Sequence, residues 1–275
     1  MLTDALTDMW TDTKAIYRSA GLFSLAFPLL FLVPVAVEMA QHLVELRAGM
    51  YVNEAGAKLA ESDPVRLWFG FAKTIALLLP GYWFVRFLLL DDPKRAARIE
   101  WPAFGLWLVI FAIGAVQLWW SLFGPDLLAP LNLEGSAATT GAAALAIAAQ
   151  VLAIYLTAWI VAWPLGNARI GPFRSIAIMH GSFWHALALM VAGIVPLMAV
   201  HYGAAILAVV WAPPALDWAL MAFDSVVVGF LALTMTGSGA LAARRAAMRK
   251  NIRLAEGRPD AFRADRNFVL GSGWK

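Results

Sequence analysis

Long apolar segments alternate with short polar connections along the chain, and this alternation predicts a bundle of membrane-spanning helices. A helix that crosses the hydrocarbon core needs about 20 mainly apolar residues, because each residue adds about 1.5 Å. Six segments meet this requirement, and we expect spans at 20–43, 67–90, 101–124, 141–163, 183–210 and 216–241. The predicted fold is therefore an all-α integral membrane protein whose six transmembrane helices form three successive hairpins.

Two shorter segments are amphipathic rather than uniformly apolar. In 1–18, Met9 and Ile16 lie at helical spacing opposite Asp8 and Asp12, and 173–184 shows a similar pattern. Each segment leads into a span, so we expect short interfacial helices before the first and fifth transmembrane helices. The predicted division is an interfacial helix over 1–18, a six-helix bundle over 19–243 and a basic tail over 244–275.

The composition excludes an ordinary soluble domain. Of the 275 residues, 61% are hydrophobic and 14% charged, whereas globular domains have about 45–50% and 25%. The chain has no cysteine, which excludes disulfides, thiolate metal sites and cysteine nucleophiles. Acidic residues stand where a signal peptide would carry positive charge, so we expect the first span to act as its own signal.

Positive charge is concentrated on one side of the predicted bundle. The N-terminal segment, the second and fourth connections and the tail together hold 16 Lys and Arg, against 3 in the other connections. The positive-inside rule then places both termini in the cytoplasm, in a multi-pass protein of a bacterial-type inner (plasma) membrane. Because this charge has a topological explanation, we expect membrane lipid and no nucleic acid as a partner.

Each predicted span carries one strongly polar residue in its outer half. Glu38 and Lys73 both lie roughly 9 Å below the outer surface at 1.5 Å per residue, and their helices are antiparallel neighbours, so we expect an ion pair. The six form a candidate layer, either structural or used in transport: Glu38, Lys73, Gln117, Gln150, His201 and Asp224. Arg86, near the cytoplasmic end, is expected to extend towards the headgroups.

Three further chemistries remain as alternatives at this stage. Glu38 and His42 lie on one helix face at i and i+4, but two ligands do not complete a metal site, and no metal is predicted. A haem between His42 and His201 is a low-probability alternative, and no cofactor is predicted. The His180–Ser182–His185 segment lacks the orienting carboxylate and the oxyanion donors of a hydrolase, so no catalytic residue is assigned.

Small residues and prolines mark the helix surfaces. The fourth span has a smooth alanine-rich face over 142–153, which is typical of close helix packing against the bundle, a second copy or another membrane protein. The prolines inside predicted spans are expected to kink their helices: Pro28, Pro34, Pro80 and Pro196.

The layout of the chain resembles that of a known family. An amphipathic start with Trp10, Lys14, Ile16, Tyr17 and Arg18 precedes six helices, and the last helix runs from Asp224 into Ala242-Ala243-Arg244-Arg245. Over about residues 10–250, this arrangement resembles the six-helix bacterial membrane domain associated with glycerophosphodiester phosphodiesterases and its free-standing relatives. The resemblance implies a non-catalytic membrane module. The sequence contains no phosphodiesterase metal cluster, so that activity is not implied.

The sequence therefore leaves three functions open. The first expectation is a non-enzymatic scaffold, anchor or regulator of a membrane-associated process. The alternative is a proton-coupled or small-solute transporter that uses the outer polar layer, and the second alternative is a haem-binding membrane protein.

Overall fold

A computed structural model describes residues 2–61, 63–90, 92–125, 127–131, 134–210 and 214–255. Most of these residues are helical, and none of them forms a strand. The helices are α1 (Leu2–Ala26), α2 (Pro28–Arg47), α3 (Glu54–Glu61), α4 (Pro64–Leu78), α5 (Gly81–Leu89), α6 (Pro93–Ala97), α7 (Trp101–Phe123), α8 (Gly135–Ala162), α9 (Pro172–Met179), α10 (Phe183–Val210) and α11 (Pro214–Arg249). Residues 256–275 of the predicted basic tail lie outside the described residues.

Six helical segments in this set are long and apolar enough to cross a membrane, as the sequence predicted. They are Pro28–Arg47, Pro64–Leu89, Trp101–Phe123, Gly135–Ala162, Phe183–Val210 and Leu216–Arg249. The protein is therefore an all-α, multi-pass membrane protein.

Prolines determine where several helices begin. Proline suits the first turn of a helix because it has no N–H to leave unpaired there, and it occupies that position in α2, α4, α6, α7 and α9. We expected one span over 20–43, but α1 continues the amphipathic segment to Ala26 and α2 begins at Pro28. The first candidate span consequently extends further, to Arg47.

Two other prolines remain inside helices, and one separates a pair. Pro34 lies within α2 and Pro196 within α10, whereas Leu79 and Pro80 separate α4 from α5 within a single candidate span.

Helix α11 is the central element of the bundle. It packs against α1, α2, α5, α8 and α10, while α7 packs mainly on α4. The helices of the predicted second hairpin, α7 and α8, therefore pack mainly against different neighbours. Glycine permits the closest approaches, since a Cβ at Gly193 of α10 would overlap Oγ of Ser238, and one at Gly229 would overlap Val35 of α2.

A buried arginine joins the second and fourth connections at one end of the bundle. Arg86 was expected to extend towards the headgroups, but its side chain is completely buried. Its guanidinium donates to the carbonyl oxygens of Pro164 (3.0 Å) and Arg95 (2.9 Å) and pairs with Glu100 at 2.9 Å. Hydrogen bonds from Arg95 and then Arg86 lower the pKa of Glu100. The expectation was wrong because two carbonyl groups and a carboxylate of the neighbouring connections bind the Nη atoms of the guanidinium inside the protein, although Nε has no hydrogen-bond partner among the described residues.

The start of the chain is bound to the same end. Arg245 of α11 donates to Asp12 of α1 at 2.6 Å and pairs with Asp8 at 2.9 Å, and His185 of α10 lies 3.7 Å from Asp12. Burial raises the pKa of Asp12, but the nearby His185 and the hydrogen bonds from Arg245 outweigh it and leave that pKa lowered. Helix α1 therefore packs against the bundle, and its location at a membrane interface remains a prediction.

The opposite end of the bundle brings the first, third and fifth connections together. Trp68, after the first connection, stacks near Phe123, before the third, with ring centroids 4.6 Å apart. Tyr51 of the first connection shares a buried cluster with Ala208 and Met221, which flank the fifth. The basic connections and the connections with little positive charge thus lie at opposite ends.

Candidate functional site

A buried polar stripe runs along the second half of α2. It consists of Glu38, Gln41, His42 and Glu45, which are 0%, 6%, 4% and 3% exposed. Their spacing of i, i+3, i+4 and i+7 places them on one helix face. That face packs against α4 and α11, so four polar side chains of one helix are directed into the interior of the bundle.

Asp224 of α11 lies at the centre of the buried residues. Its Oδ2 atom is 3.0 Å from Nε2 of His42 on α2 and 2.8 Å from Nδ1 of His201 on α10, and Oδ1 is also 2.8 Å from His201. A single carboxylate therefore joins two histidines from two other spans. Asp224 is 2% exposed, so these hydrogen bonds are almost completely shielded from solvent.

Glu38 forms the ion pair that its depth predicted. Nζ of Lys73 on α4 donates to Oε1 of Glu38 at 2.8 Å, and Nε2 of His42 lies 3.6 Å from the same oxygen. The other oxygen, Oε2, is buried and has no hydrogen-bond partner among the described residues. Glu38 therefore retains a free acceptor in the interior, where an unsatisfied polar atom is costly.

Glu45 organises a second layer behind His42. It accepts hydrogen bonds from Tyr51 (2.6 Å), Gln41 (2.8 Å) and Arg66 (3.0 Å). Burial, and then the nearby Glu45, raises the pKa of Tyr51, so the phenol keeps its proton and acts as a donor. Arg66 approaches from the start of α4, so the first connection closes over this layer.

These contacts fix which nitrogen of His42 carries hydrogen. Nδ1 lies 3.1 Å from Oε2 of Glu45 and 2.9 Å from the oxygen of Tyr51, whose own proton is donated to Glu45. Nδ1 is therefore a donor. Nε2 faces carboxylate oxygens of Asp224 and Glu38 at 3.0 and 3.6 Å, where a lone pair would be repelled, so Nε2 carries either a proton or a bound cation.

The charges of the cluster favour a cation. We call Glu38, Gln41, His42, Glu45, Tyr51, Arg66, Lys73, His201 and Asp224 the outer cluster. Its three carboxylates exceed its two fixed cations, Lys73 and Arg66, by one negative charge. The electron-rich atoms of Glu38, His42 and Asp224 converge, and a positive charge among them would relieve their mutual repulsion.

The structure brings together four of the six residues of the predicted layer. Glu38, Lys73, His201 and Asp224 belong to the outer cluster, whereas Gln117 on α7 and Gln150 on α8 are exposed. Within the described part of the chain, neither glutamine bonds to the cluster. A polar layer with one residue from every span is therefore not formed, and the site is built from α2, α4, α10 and α11 instead.

Sequence reasoning did not assign Gln41, Glu45, Tyr51 or Arg66 to the site. A signal for two of them was available, because positions 38, 41, 42 and 45 repeat with the helical period. Tyr51 and Arg66 lie in or beside the first connection, where polar residues are expected without any function. Only the folded chain shows that they contact Glu45.

The geometry argues against the two remaining alternatives. The two histidines of the haem hypothesis, His42 and His201, both contact Oδ2 of Asp224, so a carboxylate lies where a porphyrin would be needed. Ser182 of the hydrolase hypothesis contacts the guanidinium of Arg249. His185 lies next to Asp12, and neither contact forms a nucleophile–base pair with Ser182.

Comparison of the chain with protein-family models, with curated proteins and with solved structures finds no match. The outer cluster is therefore the feature from which a function is inferred.

Proposed function

We propose that this protein is a cation carrier of the membrane, with the outer cluster as its binding site. The observation that carries the proposal is the Asp224 carboxylate between two histidines inside an apolar bundle. An ionisable residue at the bilayer centre costs at least about 2.5–3.5 kcal/mol, and such residues are usually retained for function. Buried ion pairs are weak sources of stability, so stability alone is a poor reason to bury this cluster.

The edge of the cluster provides access from the membrane surface. Side chains of Arg66, Lys73 and His201 are 23%, 18% and 15% exposed, whereas those of Glu38 and Asp224 are 0% and 3% exposed. Charged groups therefore extend from a buried centre to a partly exposed rim.

Three prolines lie on the same side of the cluster, opposite that rim. Pro34 precedes Glu38 by four residues, Pro80 follows Lys73 by seven and Pro196 precedes His201 by five. Residues near these prolines contact α11 at Gly229 (Val35), Thr236 (Gly81) and Ser238 (Gly193), so the prolines are distributed over about two to three turns of α11 on this side of the cluster. Proline removes backbone hydrogen bonds and weakens a helix locally, so three of the four helices of the site have a bending point there.

The orientation belongs to the same proposal. The basic connections meet at the Arg86 end of the bundle, and the outer cluster lies towards the other end. We assign the Arg86 end and both termini to the cytoplasm of a bacterial-type inner membrane, following the positive-inside rule. The cluster then receives its cation from outside the cell.

Flux measurements on reconstituted protein test the proposal. Tag-free protein is reconstituted in liposomes that contain a dye for the cation under study. We expect these liposomes to take up at least one of H⁺, Na⁺, K⁺, Mn²⁺ and Zn²⁺ faster than liposomes without protein. Asp224→Asn should lower this flux at least tenfold. Asp217→Asn is the matched control, because Asp217 is also a buried carboxylate of α11 but, within the described part of the chain, forms no hydrogen bond with the outer cluster. Wild-type flux equal to that of empty liposomes for all five ions would overturn the proposal.

A second candidate, the non-enzymatic scaffold, is favoured by one observation. Positions 142–149 of α8, mostly alanine, are exposed and form the small-residue face that close helix packing uses. In this case a second copy or another membrane protein would cover α8. Native mass spectrometry of wild type and Ala146→Leu, together with the flux assay, separates the two candidates. An oligomer that is present in wild type and lost in Ala146→Leu, combined with no cation flux in wild type, would support the scaffold.

A further inference from the structure

We propose that the cation is a divalent first-row transition-metal ion, bound by His42, Asp224 and Glu38. This inference rests on the proposed function for its role in transport, but the binding site can be tested without any flux. The three residues each offer one ligand atom, and these atoms lie within 4.8 Å of one another. They come from α2 and α11, the first and last candidate spans.

The spacing of the donor atoms suits a metal with short bonds. Zinc and its neighbours bind nitrogen and oxygen at about 2.0–2.2 Å, so adjacent ligand atoms of a tetrahedron lie about 3.3 Å apart. Nε2 of His42 is 3.0 Å from Oδ2 of Asp224 and 3.6 Å from Oε1 of Glu38, on either side of that value. One ligand atom from each residue lies within 4.8 Å of the other two, so side-chain movements, including a rotation of the Glu38 carboxylate that presents Oε2, would bring all three residues around one ion.

The surroundings of His42 fit the outer shell of a metal-bound histidine. Such histidines donate their second N–H to a carboxylate, which fixes the ring and leaves the other nitrogen for the metal. Nδ1 of His42 donates to Glu45, and Glu45 is held in turn by Tyr51 and Arg66. His201 orients Asp224 from the other side, so we assign Glu45 and His201 as positioning residues.

Glu38 provides a ligand atom without losing its ion pair. Lys73 occupies Oε1, while Oε2 is buried and has no partner among the described residues. A metal bound through Oε2 would satisfy this acceptor, and Lys73 would remain on the other oxygen. The free oxygen is an independent indication of a ligand, because it stands unpaired in a side chain that is 0% exposed.

The ligand types indicate the class of metal. One imidazole with two carboxylates suits Mn²⁺, Fe²⁺, Co²⁺ or Zn²⁺, whereas Mg²⁺ and Ca²⁺ prefer oxygen alone, and Cu⁺ prefers sulfur. Three protein ligands leave a position open for water. An open position allows the ion to enter and leave, as a carrier requires.

Metal binding by the full chain in detergent tests the site, after removal of any polyhistidine tag. We expect calorimetric titration with Zn²⁺ and electron paramagnetic resonance with Mn²⁺ to show one site, with Mg²⁺ and Ca²⁺ at least tenfold weaker. His42→Gln, Glu38→Gln and Asp224→Asn should each weaken binding at least tenfold. His180→Gln, an exposed histidine distant from the cluster, and Asp217→Asn should bind like wild type.

A spectroscopic readout separates a ligand from a merely structural residue. Co²⁺ bound by wild type should show visible ligand-field bands, and His42→Gln should change their position, whereas Glu45→Gln should weaken binding about 10–100-fold with the bands retained. If Asp224→Asn fails to fold, the variants of His42 and Glu45 still decide the question. The absence of one-site binding in wild type, or equal binding by His42→Gln and His180→Gln, would overturn the site.

The outcomes distinguish the two proposals. Metal binding at His42 without flux overturns the carrier and retains the site. Flux of H⁺, Na⁺ or K⁺ in a protein that binds no transition metal overturns the site and retains the carrier.

Discussion

Nε2 of His42 lies 3.0 Å from Oδ2 of Asp224, although 182 residues separate them along the chain. This contact joins the first candidate span to the last. Both side chains are almost completely buried, so each depends on the other for a polar partner inside the bundle.

Removal of the Asp224 carboxylate should lower the stability of the folded protein. Asp224→Ala leaves two histidines without their shared acceptor, and breaking a buried charge pair from one side costs about 3–5 kcal/mol. We expect this loss in the free energy of unfolding, measured by SDS titration in mixed micelles with helicity followed by circular dichroism. Asp217→Ala is the comparison, since Oδ1 of Asp217 has no hydrogen-bond partner among the described residues. Equal losses in the two variants would contradict a specific role for Asp224 in stability.

Lys73 should weaken metal binding. Its ammonium lies 2.8 Å from Oε1 of Glu38, so it repels any cation bound by the same carboxylate. We expect Lys73→Gln to bind Zn²⁺ severalfold more tightly than wild type in calorimetric titration, the opposite of Glu38→Gln. Arg66→Gln, which removes a cation from Glu45, serves as the control for a general change in charge. Weaker binding in Lys73→Gln would show that the lysine organises the site instead.

The approach of α10 to α11 depends on a glycine. A Cβ on Gly193 would overlap Oγ of Ser238 and lie close to the carbonyl of Thr234. Gly193→Ala should therefore destabilise the protein by about 1–3 kcal/mol, as overpacking does. Ser238→Ala in the same chain removes the overlapping oxygen and should restore part of the loss, measured as a double-mutant cycle in SDS unfolding. Additive effects would rule out this contact as the cause.

Asp12 should stabilise the protein in a pH-dependent way. Burial opposes its charge, but the nearby His185 and the hydrogen bonds from Arg245 lower its pKa in the folded state. A lowered pKa adds stability above the unfolded value of about 3.9, and this stability is lost as pH falls through the folded pKa. The difference in Tm between wild type and Asp12→Asn should stay constant from about pH 7 to 5 and shrink below about pH 4.

Asp8 provides the comparison for that experiment. Its side chain pairs with the same Arg245 at 2.9 Å but is 57% exposed, and exposed pairs contribute about 0–1 kcal/mol. Asp8→Asn should therefore change Tm less than Asp12→Asn at pH 7. A larger effect at Asp8 would contradict the assignment of the buried pair.

Single cysteines can establish the orientation, because the chain has none of its own. Val52, in the first connection, is exposed, and Ala168 is exposed at the Arg86 end. We expect a membrane-impermeant maleimide to label Val52→Cys in intact cells and Ala168→Cys only after permeabilisation. The reverse pattern would place the outer cluster at the cytoplasmic side.

Depth was predictable from the sequence, but rotation about the helix axis was not. Counting residues along apolar segments placed Glu38 and Lys73 at one level, and the two form an ion pair. The same count placed Gln117 and Gln150 near that level, yet both are exposed. Hydropathy in a nearly uniform apolar helix contains little information about which face is buried, because lipid and protein interior are both apolar.

The predicted end of the first span was wrong, and Glu45 was therefore not assigned to the site. The predicted first span ended at residue 43, which left Glu45 in a connection. Pro28 moves the start of α2, so the helix continues to Arg47 and brings Glu45 into the bundle. The contacts of Glu45 with Tyr51 and Arg66 then depend on how the first connection folds back, and no helical period encodes that.

The contact between the first and last spans also constrains how the protein is made. Glu38 and His42 enter the bilayer early in synthesis, whereas Asp224 follows after about 180 further residues. During that interval the acid and the imidazole lack the carboxylate that faces them in the finished bundle. In the nascent chain, Lys73, water or the insertion machinery must therefore provide their polar contacts. If a ribosome stalled before α11, the truncated chain would keep incompletely paired charges, which quality-control proteases can recognise.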